Sequence, residues 1–126
     1  MRLLFLALVA LTAVLHLYIA WFEIFAWTSR GPVVFDTLPA ELFEPTWQLA
    51  ANQGVYNAFL AIGLIWSLLI RDTVWQRRIA FCFLGFVFIA GVAAAMTVSL
   101  RPGIFQMVPS GLALILLAVN SRMSGK

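Results

Sequence analysis

The chain predicts an all-α, polytopic membrane protein: a four-helix bundle with a short amphipathic helix in its first external loop. Three observations carry that prediction. Hydrophobic residues make up 63% of the 126 positions and charged residues only 10%, outside the range of soluble domains. The apolar residues gather in blocks of roughly 20, which at about 1.5 Å per helical residue match a hydrocarbon layer about 30 Å thick. Gly31, Pro32, Pro39 and Pro45 all fall in the one sizeable stretch between blocks. The whole reads as a single integral membrane domain, residues 1–126.

The first span covers residues 3–27. Its apolar run exceeds the roughly 7 to 15 residues of a signal-peptide core and has no small-x-small cleavage site, so it reads as an uncleaved anchor. In the loop over 28–48, Leu38, Leu42 and Phe43 lie at helical spacing and predict a short piece resting on the membrane surface. The second span covers 50–70, the third 79–100 and the fourth 104–120. The short turn Arg101-Pro102-Gly103 makes the last two antiparallel neighbours, and Pro109 predicts a kink in the fourth. Gly54 with Ala58, Ala90 with Ala94, and Gly91 with Ala95 form small-xxx-small faces suited to close helix packing.

Basic residues set the threading. With four spans, Arg2, Arg71, Arg77, Arg78, Arg122 and Lys126 share one side and only Arg30 and Arg101 the other. The positive-inside bias then puts both termini in the cytoplasm of a bacterial inner membrane and the long first loop, with Asp36, Glu41 and Glu44, outside. The sequence pI near 9.8 therefore reflects orientation and contact with membrane lipids, and nucleic acid is not an expected partner. Cys82 is the single cysteine, so neither an intrachain disulfide nor a multi-cysteine metal site can form.

Polar groups concentrate in the outer half of this bundle. His16 and Glu23 interrupt the first span, and ionisable residues at membrane depth point to function by default because their burial is costly. Seven positions separate them, so they share a helix face with Trp27. The second span brings Asn52, Gln53, Tyr56 and Asn57 to the same level, and Gln106 opens the fourth. His16 and Glu23 are candidate catalytic, proton-handling groups; Trp27, Asn52, Gln53, Tyr56, Asn57 and Gln106 are candidate ligand-binding residues. A metal centre is not expected, since His16 is the lone histidine and sits about 10.5 Å along the helix from Glu23. No sequence feature calls for a cofactor.

The pattern predicts an outward-facing polar pocket for a small, lipid-soluble molecule. Other classes remain open: a membrane enzyme using Glu23 and His16 in isomerase-like acid–base chemistry, a small transporter, or an assembly subunit, with oligomerisation undecided. The stretches HLYIAWFEIFAW at 16–27, LAANQGVYNAFLAIGLIW at 49–66 and FLGFVFIAGVAAAMT at 83–97 resemble the small bacterial membrane proteins of domain of unknown function family 1304. That resemblance covers nearly the whole chain and implies a four-helix integral membrane protein in which His16, Glu23, Asn52, Gln53, Gly54, Tyr56 and Asn57 match the family pattern. It implies no established activity.

Overall fold

The computed structural model describes residues 1–35 and 38–123, without the side chains of 121–123. Asp36 and Lys126, which enter the threading argument, lie outside the described residues, as does the side chain of Arg122. The described chain is all-α, with five α-helices: α1 (Arg2–Phe25), α2 (Trp27–Val34), α3 (Trp47–Leu69), α4 (Thr73–Thr97) and α5 (Leu100–Met123). A single 3-10 turn, Ala40–Leu42, lies between α2 and α3.

Three helices, α1, α4 and the stretch Leu100–Asn120 of α5, are long and apolar enough to cross a membrane. α3 has comparable length, 23 residues or about 34 Å, but Asn52, Gln53 and Asn57 dilute its apolar content. Only 22% to 33% of each apolar span is buried inside the protein. The outward surfaces carry large hydrophobic side chains, such as Leu3 at 82% and Met96 at 81% exposure. Apolar surface on this scale needs lipid or protein to cover it.

α1 packs mainly on α3 and α4 mainly on α5, while contacts between α3 and α4 and between α1 and α5 close the ring. Phe5, Val9, Ala13, Leu64, Ala80, Leu84, Val87, Ala113 and Leu117 form the buried core. Small residues set the helix spacing. A Cβ added to Gly103 would lie 2.7 Å from Gly91 O and 2.8 Å from Ala95 N, so the Gly91/Ala95 face of α4 meets the α5 backbone directly. Gly54 plays the same part between α3 and α1, where an added Cβ would approach Ala20 O to 3.0 Å.

Helix ends depart from the sequence boundaries for local reasons. α4 begins at Thr73, well before residue 79, because the Asp72 carboxylate accepts hydrogen bonds from Val74 N and Trp75 N at 2.9 and 2.8 Å. Such a cap is worth about 1 kcal/mol and extends the helix through polar residues that apolar counting discards. Arg101, Pro102 and Gly103 are not a turn but the start of α5, which leaves only Val98 and Ser99 between α4 and α5. Proline is tolerated there because first-turn N–H groups lack intrahelical partners anyway. Pro109 stays within α5, and Ser110 Oγ beside it donates to Gln106 O at 2.5 Å.

The first loop folds inward more than its spacing predicts. Leu42 is exposed, as a surface-lying segment requires, but Phe43 is only 2% exposed. Its ring packs 5.0 Å from the Trp27 ring and against Gly31, and Phe22 and Phe35 complete the aromatic cluster. Regular helix in this stretch falls instead on α2, Trp27–Val34, after a break at Ala26, and the predicted surface piece reduces to the Ala40–Leu42 turn.

Candidate functional site

The end of α1 and the start of α3 meet at Glu23. The buried stripe of α3 runs through Ala50, Gly54, Asn57 and Ala61, and glycine at position 54 lets it lie close to α1 beside the Glu23 Cβ. Asn57, one turn further along, donates its side-chain amide to Glu23 Oε2 at 2.7 Å and to its own helix at Gln53 O at 3.3 Å. Asn57 is buried and Glu23 half-buried. A carboxylate so held keeps its second oxygen available to another donor.

Above this pair opens a cleft of about 220 Å³, lined by Glu23, Ile24, Phe25, Trp27, Thr28, Glu44 and Trp47. Two glutamates and two tryptophans therefore border one space, and no basic residue among the described residues lines it. The loop forming the far wall is pinned rather than merely adjacent: Trp27 Nε1 donates to Thr46 Oγ1 at 3.0 Å, and that hydroxyl donates to Leu42 O at 2.6 Å. Arg30, the basic residue nearest in sequence, stacks over Trp21 at 5.6 Å instead.

His16 belongs to a separate, closed environment. It is fully buried, and Nδ1 lies 2.9 Å from Thr12 O, one turn back on α1. A carbonyl oxygen can only accept, so Nδ1 is the donor in this contact. Nε2 has no hydrogen-bond partner of good geometry among the described residues, and the polar side chain beside the ring is Gln106 of α5. The Gln106 amide N–H is directed to Pro102 O at 3.3 Å.

The structure thus brings Glu23, Asn57 and Trp27 together, and separately His16 and Gln106. Asn52, Gln53 and Tyr56 are exposed and do not line the cleft. Sequence reasoning places Glu44 only in the outer loop and does not single out Trp47, so both were missed as lining residues. Among the described residues, no group of three or more His, Cys, Asp or Glu side chains is placed to hold a metal ion.

Long apolar helices joined through glycine contacts, with ionisable side chains held between them, define a multi-pass helical membrane protein. The chain belongs to the family described as Protein of unknown function (DUF1304), which matches residues 10–118. No curated protein and no solved structure matches it.

Proposed function

We propose that this protein is a four-span inner-membrane protein whose outward-facing cleft over Glu23 binds a small amphiphilic molecule bearing a cationic or hydrogen-bond-donating group. The carrying observation is the cleft itself, where Glu23, held by Asn57 at 2.7 Å, shares about 220 Å³ with Glu44, Trp27 and Trp47. Carboxylates supply charge complementarity, and indole faces attract cations within about 6 Å of the ring. The length of α3 and its packing along α1 support a fourth crossing. The six-to-two bias of basic residues supports cytoplasmic termini, with Glu23 near the outer boundary.

Binding is favoured over acid–base catalysis by the pair Glu23 and His16. Two-group catalysis requires both side chains to reach one substrate, yet they lie about 10.5 Å apart along α1 and His16 is enclosed. Titration of detergent-solubilised protein with n-butylammonium should give a saturable change in tryptophan fluorescence, and n-butyrate, similar in size but opposite in charge, should not. Glu23→Gln should weaken the ammonium response at least tenfold, about 1.4 kcal/mol. Equal responses to both ions, no saturable response, or full retention in Glu23→Gln would overturn the reading.

A further inference from the structure

A second cavity, about 270 Å³, lies at the opposite end of the bundle, where the first turns of α1 and α4 meet the last turns of α5. Arg2, Arg77, Thr73, Gln76 and Asn120 line it, over Phe5 and Leu117 from the core. No carboxylate among the described residues lines it. Asp72, next to Thr73 in the chain, is committed to the backbone of its own helix at Val74 N and Trp75 N. Arg78 stacks over Trp75 at 5.6 Å and is not among the lining residues, whereas its neighbour Arg77 is. Gln76 is 7% exposed and fixed by donation to Ile70 O at 3.2 Å, so this wall is preformed.

We propose that this cavity seats the phosphate of an anionic phospholipid headgroup. Guanidinium groups match phosphate oxygens through paired N–H donors. Position selects a lipid as the source of the phosphate. The cavity sits where the apolar spans end, with Leu3, Leu4 and Val74 exposed nearby to run beside acyl chains. Basic pockets between helices at this depth are suited to anionic headgroups. The site is independent of the cleft at Glu23 and stands whether or not that cleft binds a ligand.

The test uses the full chain in a neutral detergent, with dioleoylphosphatidylglycerol, dioleoylphosphatidylcholine and inorganic phosphate as probes in separate thermal-unfolding titrations. Phosphatidylglycerol should raise the midpoint saturably and phosphatidylcholine should not. Arg2→Gln/Arg77→Gln should weaken the apparent lipid affinity at least tenfold, each single variant giving part of that loss. Arg71→Gln/Arg78→Gln removes the same charge from the same end without touching the cavity and should retain the wild-type response. The single variants keep the test decisive if the double variant does not fold. A shift by inorganic phosphate equal to that by phosphatidylglycerol would assign a free anion and overturn the lipid. Equal responses to the two lipids, or equal losses in the two double variants, would overturn the site.

Discussion

Gly103→Leu should prevent stable packing of α4 against α5, and Gly103→Ala should already lower stability by about 1–3 kcal/mol through overpacking. The obstacle at position 103 is the Ala95 Cβ together with backbone at Gly91 O and Ala95 N, none of which side-chain rotation can move aside. The gain of about 1 kcal/mol in helix propensity from glycine to alanine offsets part of this cost only for the smaller substitution. Gly85 in α4 supplies the control: an added Cβ there meets nothing within 4 Å, so Gly85→Ala should be neutral or stabilising. Unfolding by dodecyl sulfate in mixed micelles, followed by circular dichroism, reads both. Gly103→Leu as stable as Gly85→Ala would remove direct backbone contact from the explanation of the fold.

Phe43→Ala should release the loop that carries Glu44 while leaving the long helices intact. Truncating a buried phenylalanine costs about 3–5 kcal/mol, and here the loss falls on one segment held by the Trp27 ring at 5.0 Å and by Gly31. Backbone amides of residues 27–35 and 38–46 should exchange with deuterium at least a hundredfold faster, with little change at Ala80 or Leu84 in the core. The response to n-butylammonium should weaken in parallel, because Glu44 forms the far wall of the cleft. Unchanged exchange in the loop would contradict the anchoring role of Phe43.

The apolar blocks made the long helices legible, since few structures other than helices can satisfy the backbone of such segments in lipid. Helix ends were less legible where hydrogen bonding outweighs hydropathy, as at Asp72, or where proline enters a first turn, as at Pro102. At the site, the common level of Glu23 and Asn57 along the bundle followed from helical rise. Which amide would face Glu23 did not: Gln53 and Asn57 are one turn apart, and only the packing stripe through Ala50, Gly54 and Ala61 decides that Asn57 turns inward. His16 and Glu23 share a face of α1, yet α5 borders one and α3 the other, a division set by how the helices are arranged around α1. The inward position of Phe43 depended on aromatic partners distant in sequence, which spacing within the loop does not reveal.

Membrane threading with the Glu23 cleft facing outward is tested most directly by single cysteines in a Cys82→Ala background, labelled with an impermeant maleimide in intact cells whose outer membrane has been permeabilised. Glu41 and Arg71 are both exposed and lie on opposite sides of α3 in the chain. Glu41→Cys should react and Arg71→Cys should react only after lysis, the pattern expected when α3 crosses the membrane from outside to inside. Labelling of both from outside would contradict a crossing by α3, and the reverse pattern would place the cleft in the cytoplasm.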